Sequence, residues 1–198
     1  MSNRYRGTTL EGNAVEVEVD EERIVAVEEI AADGALPLIA PPLVDLQHNG
    51  AKHLAFNRVH EAPETLETVA RHALRHGVGR LLATITTQAY EDSLESLKAI
   101  DQQLKADPFL ARCYPGIFFE GNYMSAEYGW RGVHPEQFMR DPSWVQWEEL
   151  YKASGQRIVK FNIDPSRSGA MQTIRAAAAA GILVSMGHCG PDPETINA

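Results

Sequence analysis

Three short stretches of the sequence place groups that can bind a metal or a polar substrate directly after an apolar run. The first contains Gln47, His48 and Asn49, the second ends in Glu120, and the third ends in His188. Carboxylate and imidazole groups together hold divalent ions of the zinc type, and amide groups bind substrates by hydrogen bonds. If each apolar run is a strand of one parallel sheet, these groups share the sheet edge where α/β barrels build their active sites.

Each of these groups alone also has a structural explanation. Glu120 can pair with an arginine or cap a helix, His188 can be a hydrogen-bonded structural residue, and Asn49 can belong to a polar turn. A carboxylate and an imidazole at equivalent positions of different strands are what favour a metal site. Alternation along the first strand sends Gln47 and Asn49 to one side and His48 to the other, so the two amides are the candidates for binding a substrate.

From residue 41 onward the hydrophobic pattern alternates between the periods of a strand and of a helix. The predicted strands are 43–46, 80–86, 114–120, 157–163 and 182–186, and the predicted helices are 64–76, 91–105, 143–153 and 170–180. This alternation predicts an α/β fold with a parallel sheet covered by helices. An open doubly wound sheet fits the length, whereas a closed (β/α)8 barrel needs eight units and ~250 residues.

The first forty residues follow a different pattern. Residues 14–19 alternate strictly between apolar and acidic side chains, and residues 23–30 form a second such run. Alternation of this kind predicts half-buried strands. We therefore predict a small β-domain segment at residues 1–40 and a separate strand–helix domain at residues 41–198.

The charge and the apolar content exclude several classes of protein. A formal net charge of −9 argues against a nucleic-acid partner, which requires a basic surface. The longest apolar stretches, 39–46 and 176–186, are too short or interrupted to span a bilayer, and no secretory signal is visible. Two cysteines are too few for a disulfide framework. We expect a cytoplasmic protein with a small-molecule partner, no nucleic acid and no membrane.

In their order and spacing, the motifs resemble those of the N-acetylglucosamine-6-phosphate deacetylases of the amidohydrolase superfamily. The matching segments are 42–47 with Asn49-Gly50, Glu120-Gly121, 131–135 and Gly187-His188. The resemblance extends over residues 39–198, and the preceding β-segment fits the small β-domain of these enzymes. It implies a partial (β/α)8 TIM barrel of about five βα units, with residues 41–198 as the first part of a metal-dependent amidohydrolase barrel.

The resemblance also implies a metal site. One divalent ion, often zinc, is bound in the family by a glutamate and two histidines, and Glu120 and His188 match the first two ligands. Gln47 and Asn49 stand where two-metal members have His-x-His, so the resemblance implies a single ion. The third ligand and the acid–base aspartate of the family would lie beyond Ala198, so no catalytic residue is predicted within the chain.

The implied substrate is an amino-sugar phosphate. Val133, through its backbone, and His134 match a segment that contacts the sugar phosphate, and with Gln47 and Asn49 they are the predicted substrate-binding residues. The implied reaction converts N-acetylglucosamine-6-phosphate to glucosamine-6-phosphate and acetate. We expect the chain to be an N-terminal fragment that is inactive alone, from a protein that forms a homo-oligomer when full length.

Departures from the family pattern leave two alternatives open. Phe118 and Asn122 stand where the family usually has histidine and proline, and Cys189 stands where a small hydroxylated residue is common. These changes allow a different N-acyl substrate. The other alternative is a non-catalytic half-barrel that binds a partner or a sugar phosphate.

Further metal-capable residues have simpler interpretations. His72 and His76 are spaced as a helical metal pair, but flanking arginines and the lack of a following glutamate favour a solvated helix face. Lys160 lies in the strand where some amidohydrolases carry a carbamylated lysine, but without a His-x-His motif this role is disfavoured. Cys189 is interpreted as an inert thiol.

Overall fold

The structure is a computed structural model that describes residues 2–197, and it divides into two compact units, Met1–Pro42 and Leu43–Ala198. The first unit holds an antiparallel sheet in the order β1-β2-β3. Its strands are β1 (Asn3–Thr8), β2 (Ala14–Asp20) and β3 (Arg23–Glu29).

The first strand, β1, was not predicted because its side chains are mostly polar. It pairs with β2 along its whole length, and Arg4 adds contacts across the sheet by donating to Glu16 at 3.0 Å and to Glu18 at 3.1 Å. Cross-strand pairs of opposite charge stabilise such a strand modestly, by about 0.2–1 kcal/mol each. The alternation in β2 places Val15 and Val17 in the buried part of this unit.

The second unit is built on a five-stranded parallel sheet. Its strands are β4 (Leu43–His48), β7 (Val78–Ile85), β8 (Gly116–Phe119), β9 (Ile158–Ile163) and β10 (Leu183–Met186), and a short antiparallel pair consists of β5 (Gly50–Ala51) and β6 (Leu54–Ala55). The helices are α1 (Thr65–Arg75), α2 (Tyr90–Ala106), α3 (Pro108–Cys113), α4 (Trp144–Ala153), α5 (Ala170–Ala179) and α6 (Pro193–Ile196). Single 3-10 turns occupy Phe56–Arg58 and Glu136–Phe138.

The strand order decides between the two predicted architectures. The order is β10-β9-β8-β7-β4, so each strand of the parallel sheet pairs with the strand that precedes it in that sheet. A doubly wound sheet reverses its order at a switch point, whereas a barrel adds strands in one direction. The prediction of a partial (β/α)8 barrel is therefore confirmed, and the doubly wound alternative is wrong.

The core of this unit lies between the sheet and its helices. In α1, the buried residues Leu66, Val69, Ala70 and Ala73 follow the spacing of one helix face. On α4, the ring of Trp147 packs against the ring of Phe161 on β9, with their centroids 5.8 Å apart. The helices are thereby held against the strands that position the polar residues at the sheet edge.

One element differs from the sequence prediction at the entry to β8. The strand predicted from residue 114 begins at Gly116, because the unpredicted helix α3 occupies Pro108–Cys113. Asp107 caps this helix by accepting a hydrogen bond from the Phe109 amide at 2.8 Å, and Pro108 occupies its first turn.

Both edge strands of the parallel sheet expose large apolar side chains. In β4, Leu43 is 65% exposed and Val44 is 59% exposed, and in β10 Leu183 and Met186 are 59% and 54% exposed. Unpaired strand edges with apolar side chains are surfaces on which further strands can add. Among the described residues, no helix combines the length and the apolar character that crossing a membrane requires.

Candidate active site at the carboxyl edge of the sheet

A pocket of about 280 Å³ lies at the carboxyl ends of the parallel strands. The residues that line it are Gln47, Asn49, Thr86, Thr87, Glu120, Val133, His134, Pro135 and His188. All six residues predicted to bind a metal or a substrate are therefore in one place. Thr86, Thr87 and Pro135 also line the pocket and were not predicted as site residues.

Glu120 lines this pocket directly after β8 and is buried, only 5% exposed. Its backbone amide donates to the Ile85 carbonyl at 2.9 Å, which continues the pairing of β8 with β7. The next residue must be small: a Cβ on Gly121 would lie 2.7 Å from the Thr87 amide nitrogen. The chain therefore approaches β7 closely at the point where the carboxylate enters the pocket.

Gln47, at the end of β4, binds the carboxylate of Glu120. Its Nε2 donates to Oε1 of Glu120 at 2.8 Å. The end of β4 is organised by Asp45, which accepts the Gln47 amide at 2.9 Å and contacts Nδ1 of His48 at 2.9 Å. His48 is thus turned onto Asp45, away from the pocket that Gln47 and Asn49 line, as the alternation predicts.

His188 enters the pocket after β10 with a left-handed backbone, φ +53°. Its Nδ1 lies 3.1 Å from the carbonyl oxygen of Trp130. A carbonyl oxygen only accepts, so Nδ1 carries a hydrogen, and in the neutral ring Nε2 is the nitrogen with the free electron pair. That Nε2 lies 3.5 Å from Oε1 of Glu120.

His134 reaches the pocket from the loop between β8 and α4. Its side chain is buried, and its Nδ1 lies 3.0 Å from Oγ1 of Thr87. The rings of His134 and His188 meet edge to face, with their centroids 4.4 Å apart. Burial, with a smaller contribution from His188, lowers the pKa of His134 to about 4, so its imidazole is neutral at pH 7.

These side chains form a set that suits a divalent ion. Donor atoms of Glu120, His134 and His188 all lie within 4.8 Å of one another. Two imidazoles and one carboxylate are a donor set that zinc and related metals accept. The residues present therefore fit the metal that the sequence predicts, and His134 joins the set without having been predicted as a ligand.

The other candidates have contacts or a thiol pKa that disfavour a role as metal ligands. Nζ of Lys160 lies over the ring of Phe118, 4.0 Å from its centroid. His76 contacts the His72 carbonyl on α1 through its Nδ1. Burial raises the pKa of the Cys189 thiol, with Asp164 adding to the effect, which disfavours a thiolate there.

The comparisons with known proteins point to one group of enzymes. No family model matches the chain. The chain is 32% identical over 178 residues to the N-acetylglucosamine-6-phosphate deacetylase of Bos taurus, covering 88% of the chain and 42% of that protein. It is 28% identical over 152 residues to the N-acetylgalactosamine-6-phosphate deacetylase of Escherichia coli O157:H7, covering 76% of the chain and 39% of that protein.

Solved structures agree in fold. The N-acetyl-D-glucosamine-6-phosphate deacetylase of Mycobacterium smegmatis matches with a TM-score of 0.80 at 23% identity, over 98% of the chain and 52% of that structure. The Thermotoga maritima enzyme of the same name matches with a TM-score of 0.80 at 21% identity, over 100% of the chain and 51% of that structure. The chain thus spans about half the length of these structures, and less than half of the curated relatives.

The fold and the pocket together define the class of this chain: five strands of a (β/α)8 half-barrel, with a polar site at their carboxyl edge. Within that class, the resemblance to the N-acetylglucosamine-6-phosphate deacetylases is confirmed, and it applies to the N-terminal part of those enzymes.

Proposed function

We propose that the chain carries the N-terminal, metal-binding part of a hydrolase that removes the acetyl group from N-acetylglucosamine-6-phosphate. The observation that supports this proposal most directly is the buried carboxylate of Glu120 with the Nε2 of His188 at 3.5 Å, at the carboxyl edge of a half-barrel. The names of the curated relatives supply the substrate class.

In this proposal Glu120 and His188 hold one divalent ion, and their nitrogen and oxygen donors suit Zn²⁺. The chemistry that such an ion supplies to amide hydrolysis is polarisation of the carbonyl and a lower pKa for water. Gln47 orients the carboxylate through its hydrogen bond of 2.8 Å. Among the described residues, the proposal assigns metal ligands but no acid–base group.

The substrate would occupy the rest of the pocket. Asn49 lines it next to Gln47, and its amide can donate to or accept from a sugar hydroxyl. Val133 and His134 enter from the loop, in the segment for which the resemblance implies a contact with the sugar phosphate. Residues 1–40 would correspond to the small β-domain of the family, and residues 41–198 to the first part of its barrel. We also propose that the full-length protein is cytoplasmic and forms a homo-oligomer.

We further propose that the chain alone does not turn over substrate. Its sheet leaves apolar side chains of both edge strands exposed, and the relatives with the named activity are about twice as long. The test is the intact mass of the native protein from its source, followed by an assay of acetate release. Turnover by a native protein of about twice the mass of this chain, abolished by Glu120→Ala, supports the proposal. A native protein of the chain's own mass that binds the sugar phosphate without turnover identifies a binding module instead.

A second substrate is favoured by one comparison. The relative from Escherichia coli O157:H7 is named for N-acetylgalactosamine-6-phosphate, which differs from the glucosamine compound at one ring carbon. Assaying both phosphorylated sugars and unphosphorylated N-acetylglucosamine separates the two. A higher kcat/KM for the galactosamine compound would reassign the substrate and leave the metal site unchanged.

A further inference from the structure

The turn that carries His188 into the pocket is bound by a side chain of the neighbouring strand. Asn162 on β9 is 3% exposed, and its Nδ2 donates to the Gly187 carbonyl at 2.9 Å. In the parallel register Asn162 lies opposite Ser185 of β10. Because a carbonyl oxygen only accepts, Nδ2 must be the atom that faces Gly187, and Oδ1 is left to accept the Ser185 hydroxyl at 3.3 Å. Asn162 therefore connects the paired strands to the first residue after β10.

The space beside Gly187 is as restricted as its hydrogen bonding. A Cβ at this position would lie 2.8 Å from Oδ1 of Asn162, too close for the Asn162 side chain to stay where it is. The close approach of the two residues therefore requires glycine at position 187.

His188 itself needs contacts that enforce its backbone conformation. Its φ of +53° lies in the left-handed region, which costs free energy for a residue other than glycine and persists only where the surroundings impose it. The loop between β8 and α4 contributes two main-chain contacts: the Ser125 amide donates to the His188 carbonyl at 2.9 Å, and the Trp130 carbonyl accepts from Nδ1 at 3.1 Å. The hydrogen bond from Asn162 acts at a different point, on the peptide group that joins Gly187 to His188.

We infer that Asn162 is a positioning residue, whose hydrogen bond to the Gly187 carbonyl fixes the left-handed turn that brings Nε2 of His188 to Glu120. The inference rests on the proposed function, in which His188 and Glu120 bind the metal ion. Asn162 lies beside this pair, since it lines a cavity of about 290 Å³ together with both residues. Its amide acts on the position of the imidazole and is not assigned to the ion. Asn162 was not among the predicted site residues.

The first test needs no metal. NMR of the metal-free chain reports the backbone of His188, because the amide and α protons of a left-handed residue are close together and give a strong NOE. The wild-type chain should show this NOE. Asn162→Leu keeps the branched shape of the side chain but removes both polar atoms, and should lose it. The matched control is Ser154→Ala, which removes a buried hydroxyl that donates to the Tyr151 carbonyl and accepts the Arg157 amide, and it should keep the NOE.

The second test is a titration of the metal-free chain with Zn²⁺ alone, in competition with a chromophoric chelator. Asn162→Leu should bind Zn²⁺ ~10-fold more weakly than wild type, the lower end of the usual effect of removing a residue that orients a metal ligand. Gly187→Ala disturbs the same contact from the other side, by placing a Cβ against Oδ1 of Asn162, and should weaken binding by a similar factor. Ser154→Ala should bind like wild type.

The outcomes separate this inference from the proposed function. If Asn162→Leu keeps the strong NOE of His188 or the wild-type affinity for Zn²⁺, the inference is overturned and the proposed metal site stands. If the wild-type chain binds no Zn²⁺, the proposed metal site fails, and the NOE alone decides whether Asn162 fixes the turn. Circular dichroism of each variant checks its fold. If Asn162→Leu does not fold, Gly187→Ala decides, and a retained NOE with wild-type affinity overturns the inference.

Discussion

Glu120 is the residue around which the site is organised. It is almost fully buried, and a carboxylate in such a place is costly unless donors or a cation compensate its charge. Gln47 supplies one N–H, and the imidazole of His188 lies within 3.5 Å. The remaining capacity of the carboxylate faces the pocket, where a divalent ion would complete its coordination.

The contact between Gln47 and Glu120 gives a first prediction. Gln47→Leu removes the N–H that orients the carboxylate, at nearly unchanged volume, and should lower the affinity for Zn²⁺ by ~10–100-fold. The measurement is a titration of the metal-free chain with Zn²⁺ in competition with a chromophoric chelator. Gln102→Leu, on the exposed face of α2, is the matched control and should bind as wild type. Equal affinities for both variants would show that Gln47 does not orient the ligand.

The lowered pKa of His134 gives a second prediction. Its pKa falls from the ordinary 6.5 to about 4 on folding, so between these values the unfolded chain binds more protons. Its contribution to stability is complete above pH 6.5 and is lost as the pH falls towards 4. His134→Gln should therefore lose less free energy of unfolding between pH 7.5 and pH 5 than the wild type does.

This difference is measured by denaturant unfolding at the two pH values, with a chelator present to exclude metal. His53→Asn, an exposed position with φ +65° that asparagine tolerates, controls for loss of an imidazole. Parallel pH dependences for wild type and His134→Gln would contradict the prediction.

At the scale of elements, the loop between β8 and α4 is fixed at its start by Asn122. This residue has φ +75°, and its Nδ2 donates to the carbonyls of Gln88 at 2.9 Å and Phe138 at 2.8 Å. Its own carbonyl accepts the Arg140 amide at 2.9 Å, so the two ends of the loop are tied together. One residue, Asn122, therefore ties together the two ends of the loop that carries His134.

A third prediction follows for this position. Asn122→Gly keeps the left-handed backbone but loses both side-chain hydrogen bonds, and should lower the free energy of unfolding by about 1–2 kcal/mol. Asn122→Pro, the residue that the resemblance leads one to expect here, cannot adopt φ +75° and should cost more than about 2 kcal/mol. Guanidinium unfolding ranks the variants. A proline variant as stable as wild type would mean that the loop adopts another conformation.

The elements also explain what could be predicted from the sequence. Gln47, Glu120 and His188 were found because each follows an apolar strand, and parallel strands bring their carboxyl ends together. Thr87 also lies just after a strand, β7. Its hydroxyl is a weak metal ligand, so its residue type did not indicate a functional site. His134 lies in a loop without periodicity, so only the resemblance pointed to it.

Local hydrogen bonds explain the elements that were missed. Helix α3 begins at the Asp107 cap, and its six residues are too few to show a helical period in the sequence. Strand β1 has polar side chains, and the exposed ion pairs of Arg4 with the facing strand add to its backbone pairing. Both elements contain hydrogen bonds or ion pairs of individual polar side chains, and the hydrophobic pattern of a sequence does not predict such contacts.

At the scale of the whole molecule, the exposed edges of the parallel sheet lead to a fourth prediction. Val44 on β4 is 59% exposed beside other large apolar residues, so the isolated chain should self-associate through strand edges. Val44→Lys should shift the chain towards monomer in sedimentation velocity at equal concentration. Val145→Lys, at a 75% exposed position of α4, should leave association unchanged. Equal effects of the two variants would mean that added charge alone disperses the chain.

The one-directional strand order has a consequence for how the protein is made. During synthesis each strand of the parallel sheet can pair with the strand made just before it, so the sheet can grow from β4 to β10 as the chain leaves the ribosome. Glu120 is in place after the third of these strands, whereas His188 arrives only after the fifth. Under the proposed function, a metal ion held by both residues would therefore bind only after all five strands of the sheet have been made.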